Sequence, residues 1–178
     1  AQILFTEYLQ FDPDDPNWFN RDRFVLSAGH ESALMYALLY QIGWLNKEDI
    51  ENFRQLKSRT PGHPEVEIPG VEATTGPLGQ GFAMAVGMAV AESMLREKLT
   101  QLSDDISDVF GHYTYVLAGD GDFQEPIVLG AGSMAGHWGL SRLIVYYDAN
   151  NAQISGKVGR SDSTNYAQVF EGFGWHVQ

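Results

Sequence analysis

The stretch between residues 113 and 135 constrains the fold more than any other part of the chain. Residues 113–118 are aromatic, β-branched and apolar, as expected of a buried strand. Gly119-Asp120-Gly121 follows at once, and residues 127–135 are small and apolar, which favours a helix. Pro126 suits the first turn of that helix, because no N–H is needed there. The order of strand, glycine turn and helix predicts the ligand-binding edge of an open parallel sheet.

Two oxygen-bearing side chains are predicted to meet at this edge. Asp120 supplies a carboxylate directly after the first strand, and Asn150 supplies an amide shortly after a second apolar strand, 143–148. Ligands that are all oxygen favour Mg²⁺ or Ca²⁺, and Mg²⁺ is commonly completed by phosphate oxygens and water. We therefore expect a cation that holds a diphosphate here. The alternative is an ordinary Asp-Gly turn followed by an unrelated Asn-Asn loop.

The rest of the chain predicts an α/β fold with a mostly parallel central sheet. A short strand is expected at 24–26, and the helices are expected at 3–10, 32–40, 47–56 (capped by Asn46) and 78–98. Residues 58–76 form a long polar loop, which is commonly a functional feature, and 100–111 form an acidic connector. The chain begins inside a helix and ends as a strand begins, at 174–178, so both ends look cut from a longer polypeptide.

Net charge and cysteine content limit the classes of function. The net charge of −12 argues against nucleic acid and anionic membrane surfaces as partners. No apolar run reaches the roughly 18 residues of a membrane-spanning helix, and the N-terminus lacks the basic region of a signal peptide. With no cysteine, neither disulfides nor thiolate chemistry is available. We expect no nucleic-acid partner, no membrane association and a cytoplasmic location.

Two of the five histidines are candidate functional residues. His30 follows Gly29 at the end of the first strand, and His63 follows Gly62 within the long loop. His137 is expected at a helix end, where it can interact with the last carbonyl groups. The histidine spacing matches no zinc site, so zinc is not expected.

Four segments resemble the transketolase family. They are Arg21 to His30, Thr60 to Glu65, Gly70 to Gly81 and Phe173 to Val177. The third segment has the sequence Gly-Val-Glu-Ala-Thr-Thr-Gly-Pro-Leu-Gly-Gln-Gly. They occur in the family's order and cover essentially the whole chain. The resemblance implies the thiamine-diphosphate-binding fold, a mostly parallel sheet with helices on both faces. It assigns residues 1–178 to part of the diphosphate-binding domain, truncated at both ends, with the pyrimidine-binding and C-terminal domains absent.

The resemblance also implies which residues hold the metal and the diphosphate. Asp120 and Asn150 would ligate the cation through their side chains, and Ala152 would do so through its carbonyl oxygen. The implied cation is Mg²⁺, with Ca²⁺ possible. Gly121, through its backbone N–H, and His30 would contact the diphosphate of thiamine diphosphate.

The remaining implied roles concern the rings of the cofactor and the substrate. The segment Gly76, Pro77 and Leu78 would lie against the cofactor, and Ile154 would pack on the thiazolium ring. Glu125 would belong to a carboxylate network that reaches the opposite subunit of a homodimer whose active site lies at the interface. His63 would bind the hydroxyl group and developing oxyanion of the ketose donor. His63, His30 and Glu125 are thus the implied catalytic residues.

The implied activity is transfer of a two-carbon ketol unit from a ketose phosphate to an aldose phosphate, in the pentose phosphate pathway. The chain alone is expected to be inactive, because the family's cofactor-activating glutamate and sugar-phosphate-binding residues lie in other domains. In the family, Gly-Asp-Gly is usually followed by Cys and then by a Glu-Gly pair. This chain has Asp122 in place of the Cys and Glu125-Pro126 in place of the Glu-Gly pair.

Several alternatives to this activity remain at the level of sequence. The Glu-Pro pair resembles the homodimeric pyruvate dehydrogenase first component, and deoxyxylulose-phosphate synthase is a further thiamine-dependent alternative. His63 favours a ketose donor over pyruvate. A non-catalytic cofactor-binding subunit of a split enzyme and an inert α/β domain also remain.

Overall fold

The computed structural model describes residues 1–102, 110–154 and 156–178. Its strands are β1 Arg23–Leu26, β2 Thr114–Gly119, β3 Leu143–Asp148, β4 Ala152–Gln153 and β5 Gly156–Lys157. Its α-helices are α1 Ser32–Gln41, α2 Lys47–Glu51, α3 Gln80–Thr100, α4 Asp120–Phe123, α5 Pro126–His137 and α6 Tyr166–Gly172. A π-helical turn covers Leu4–Tyr8, and 3₁₀ turns cover Gly29–Glu31 and Val158–Arg160.

Strands β1, β2 and β3 form a parallel sheet in that order, which confirms the predicted α/β fold. Leu26 pairs with Leu117, and Gly119 pairs with Asp148. In a parallel sheet all carboxyl ends lie at one edge, so the segments that follow the three strands meet there. The pair β4 and β5 forms a small antiparallel hairpin beyond β3.

The two faces of the sheet are covered by different helices. Because successive side chains of a strand point to opposite faces, Val25 and Phe24 enter different cores. Val25 and Val116 belong to a core built with α3, α5 and α6, whereas Phe24 and Leu26 belong to one built with α1 and the N-terminal turn. The expected arrangement of helices on both faces is confirmed.

Four predicted boundaries are wrong. The N-terminal helix, expected at 3–10, ends at Tyr8 because the next residue is extended. Helix α2 ends at Glu51, not at residue 56, because the chain turns through positive φ at Arg54 and Lys57, although the capping box at Asn46 is present as expected. Helix α3 begins at Gln80 because Gly79 adopts φ +78°. No strand forms over 174–178, since the chain turns back against the end of α6, where the Trp175 N–H donates to the Phe170 carbonyl at 3.0 Å.

Most of the expected connector at 100–111 lies outside the described residues. Helix α6 and the β4–β5 hairpin were not predicted from sequence. Within the described ranges, no helix is both long enough and apolar enough to cross a membrane.

Candidate functional site

Asp120 lies buried at the edge where the three strands end. It follows β2 directly as the first residue of α4 and is 5% exposed. Its Oδ1 accepts a hydrogen bond from the Tyr147 hydroxyl, near the end of β3. Burial, together with that bond, raises the pKa of Tyr147 above its usual range. Its Oδ2 is buried and has no hydrogen-bond partner among the residues described. A buried carboxylate oxygen without a partner is costly, and a bound cation would satisfy it.

The segment after β3 is exposed to solvent and lies at the same edge of the sheet as Asp120. The Asn150 amide donates to Asp148 at 2.8 Å, and its Oδ1 accepts from the Ala152 N–H at 2.9 Å. Gln124, just after α4, donates to Gln153 at 3.1 Å and so fixes the hairpin against the helix that carries Asp120. This bond brings Ala152 towards the Asp120 edge.

Ile154 is fully exposed. Single exposed apolar side chains are common on protein surfaces, and a bound apolar ring would cover this one. Its exposure is compatible with its expected place against the cofactor.

The long loop folds its histidine onto the glycine that precedes Pro77. A Cβ on Gly76 would lie 3.1 Å from the Cγ of His63, so a side chain there would crowd the imidazole ring. Gly76 also has φ +142°, a conformation that residues with a side chain rarely adopt. A Cβ on Gly29 would lie 2.6 Å from the Gly76 nitrogen. The segment after β1 and the Gly76 segment are therefore in direct contact. His30 and His63 are both exposed at this edge.

The segment after β2 closes on the same loop. A Cβ on Gly121 would lie 2.8 Å from the Cδ1 of Leu78, and a Cβ on Gly79 would lie 2.8 Å from the Cβ of Glu125. Glu125 is the N-terminal cap residue of α5 and is partly buried. The structure thus places Gly121, Leu78 and Glu125 side by side, with Pro77 exposed beside them.

The donor set at this edge fits a hard cation. In the described part of the chain no three or more His, Cys, Asp or Glu residues are grouped to hold a metal ion. A cation here would have at most two such side chains as ligands; Asp120 supplies one carboxylate, and the oxygens of Asn150 and Ala152 lie on the segment that follows β3. One carboxylate with neutral oxygens leaves positions for phosphate oxygens, as Mg²⁺ prefers.

Comparison with known proteins then decides the family. The family model described as "Transketolase, thiamine diphosphate binding domain" matches residues 1–178. The chain belongs to the transketolase family. Its match is to the thiamine-diphosphate-binding part of that family.

Individual transketolases are similar along nearly all of the chain. The transketolase of Geobacillus stearothermophilus is 51% identical over 177 residues, which cover 98% of this chain and 26% of that protein. Transketolase-1, chloroplastic, of Arabidopsis thaliana is 50% identical over 180 residues, covering 99% of this chain and 24% of that protein. The chain therefore spans about a quarter of the length of these relatives.

The fold agrees with solved transketolase structures. The transketolase from Leishmania mexicana superposes with a TM-score of 0.92 at 46% identity, over 98% of this chain and 26% of that one. The sequence resemblance to transketolase is confirmed.

Two contacts at the edge where the three strands end are not predicted from the sequence. Tyr147 donates to Asp120, and Asp122 joins three of the segments. The only sequence signal for Tyr147 is a hydroxyl near the carboxyl end of a strand. The sequence alone assigns Asp122 no role.

Proposed function

We propose that the complete protein is a transketolase that transfers a two-carbon ketol unit from a ketose phosphate to an aldose phosphate, in the pentose phosphate pathway. The observation that carries this proposal is the buried, unpartnered oxygen of Asp120 at the carboxyl edge of the sheet. Thiamine diphosphate, when bound, supplies the electron sink for this chemistry, and the protein binds and orients it.

The proposed cation is Mg²⁺, with Ca²⁺ as an alternative, ligated by Asp120, Asn150 and the carbonyl oxygen of Ala152. A cation is needed because this acidic chain must hold a diphosphate, and the charge of the ion offsets that of the phosphates. Gly121 and His30 would donate to the diphosphate. The support is their position at the same edge as Asp120.

The cofactor rings would lie against the segment from Gly76 to Leu78 and against Ile154. An apolar wall there excludes water and strengthens nearby hydrogen bonds. His63 would donate to the hydroxyl and developing oxyanion of the ketose. Preorganised donors of this kind are worth about 2.7–4 kcal/mol each in the transition state.

We further propose a homodimer with the active site at the subunit interface. Helices α3 and α5 present exposed apolar side chains, namely Met84, Met94, Leu95, Ile127 and Met134. Helices α3 and α5 pack against each other, and exposed apolar side chains on both support a surface covered by another protein. Glu125, at the start of α5, would contact the partner subunit there. We propose no nucleic-acid or membrane partner.

Sugar phosphates are the proposed substrates. Transketolase structures from Pichia stipitis are described as complexes with xylulose 5-phosphate and with fructose 6-phosphate. These relatives are 42% identical to this chain. A cytoplasmic location stays a prediction, since relatives from plants carry the description chloroplastic.

The test is a coupled assay of the complete natural protein with Mg²⁺ and thiamine diphosphate. We expect turnover with xylulose 5-phosphate plus ribose 5-phosphate, and none with pyruvate. His63→Ala should lower kcat/KM for the ketose by about 10²–10³-fold, the loss typical of one oxyanion donor. Turnover of pyruvate alone would assign the protein to another thiamine-dependent class. No turnover of either substrate would contradict the proposed activity.

A further inference from the structure

Asp122 is a completely buried carboxylate whose two oxygens accept three hydrogen bonds. Oδ1 accepts from the Ser27 hydroxyl at 2.6 Å and from the Gly79 N–H at 2.7 Å. Oδ2 accepts from the Gly119 N–H at 3.0 Å. A buried carboxylate is tolerated only when its oxygens are satisfied in this way.

The three donors belong to three separate segments of the edge. Ser27 follows β1 and leads into the turn that carries His30, and Gly79 joins Leu78 to helix α3. Gly119 is the last residue of β2, directly before the proposed metal ligand. One side chain therefore connects the segments that follow β1 and β2 with the loop that precedes α3.

Ser27 extends this connection into helix α3. Its hydroxyl oxygen accepts from the Phe82 N–H at 3.0 Å while its proton goes to Asp122. Phe82 lies in the first turn of α3, where N–H groups have no partner within the helix. The hydroxyl thus relays the carboxylate's position to the start of the helix.

Helix α3 and the segment after β1 are also closely packed. A Cβ on Gly81 would lie 2.6 Å from the Cα of Ser27, so α3 and the end of β1 touch backbone to backbone. With no space between them, the hydrogen bonds of Asp122 set how the loop between Gly76 and Gly79 is placed against β1 and β2.

We propose that Asp122 is a positioning residue that holds these three segments in the arrangement that binds the cofactor diphosphate. This rests on the proposed binding of thiamine diphosphate at this edge. Asp122 acts through Ser27, Gly79 and Gly119, because its carboxylate is completely buried and all its bonds go to the protein. Asp122 therefore has a structural role in this chain.

The test compares Asp122→Asn, Ser27→Ala and the double variant in the complete natural protein. Asparagine keeps the shape but turns an N–H₂ group towards the Gly119 N–H, so one bond becomes a clash of donors. We expect the calorimetric dissociation constant of thiamine diphosphate, with Mg²⁺ present, to rise about 10- to 100-fold, as for residues that orient a ligand shell. The value of kcat at saturating cofactor should change by a smaller factor than the dissociation constant.

In the double variant the two single effects should not add in full, because Ser27 and Asp122 share one hydrogen bond, although Ser27→Ala also removes the acceptor of the Phe82 N–H. The control is Val116→Ala, which removes a fully buried apolar side chain from β2 and has no part in these hydrogen bonds. It should lower the melting temperature and leave the dissociation constant at the wild-type value. Equal dissociation constants for Asp122→Asn and Val116→Ala would overturn the proposal.

Hydrogen exchange separates failure of this proposal from failure of the proposed function. In Asp122→Asn without cofactor, amides in 27–31 and 76–82 should exchange faster than in Val116→Ala, whether or not the wild type binds thiamine diphosphate. Unchanged exchange there would overturn the positioning role. If the wild type binds no thiamine diphosphate, the proposed function fails and the link to the cofactor fails with it. If Asp122→Asn does not fold, Ser27→Ala gives the same comparison.

Discussion

Gly81 and Gly172 are both helical glycines, yet replacing each with alanine should affect stability differently. In a helix, alanine is favoured over glycine by about 1 kcal/mol. Propensity alone would therefore predict that both substitutions stabilise the protein.

The surroundings of Gly81 reverse this expectation. A Cβ there would lie 2.6 Å from the Cα of Ser27 and 3.0 Å from its Cβ and Oγ, so α3 and β1 would have to move apart. Such overpacking costs about 1–3 kcal/mol, which exceeds or matches the gain in propensity. We expect a net loss of up to about 2 kcal/mol for Gly81→Ala. Displacing Ser27 would also weaken its bond to Asp122 and the binding of the cofactor.

Gly172 is the matched control. It is exposed at the end of α6, and a Cβ there would meet no atom within 4 Å. Gly172→Ala should leave stability unchanged or raise it by up to about 0.5 kcal/mol. Scanning calorimetry of the complete natural protein measures both as shifts in melting temperature relative to the wild type. A melting temperature for Gly81→Ala at or above that of Gly172→Ala would refute the close contact between α3 and β1.

Three further predictions concern other residues. Burial, with nearby arginines, lowers the pKa of His112 to about 4. Since unfolded histidine titrates near 6.5, stability should fall by up to about 3 kcal/mol as the pH drops from about 6.5 to 4, and His112→Phe should flatten that slope in thermal unfolding. Asn46→Ala, which removes the capping box of α2, should cost about 1 kcal/mol in the same measurement. Tyr147→Phe removes the donor to Asp120 and should weaken Mg²⁺-dependent cofactor binding about 10- to 100-fold by calorimetry, whereas Tyr146→Phe should not.

The parts of the fold that local patterns control could be predicted from sequence. The bounds of β3, the cap at Asn46 and the start of α5 at Pro126 follow from residues that are neighbours in the chain. The end of α2 was missed because positive φ at Arg54 and Lys57 has no glycine to signal it.

The parts of the site that long-range contacts control could not be predicted. Ser27 and Asp122 are 95 positions apart, and their bond depends on how β1 and β2 are aligned in the sheet. Tyr147 reaches Asp120 because Gly119 pairs with Asp148 in the register of β2 and β3. A single sequence records the residue types but not the register that brings them together.

Binding of thiamine diphosphate, measured by calorimetry with and without Mg²⁺, tests the central claim most directly. The complete wild-type protein should bind the cofactor only with the metal, and Asp14→Asn, on an exposed turn, should bind it equally well. Asp120→Asn, which keeps the side-chain shape but removes the charge, should lose Mg²⁺-dependent binding. Metal-independent binding by the wild type, or wild-type binding by Asp120→Asn, would contradict the account.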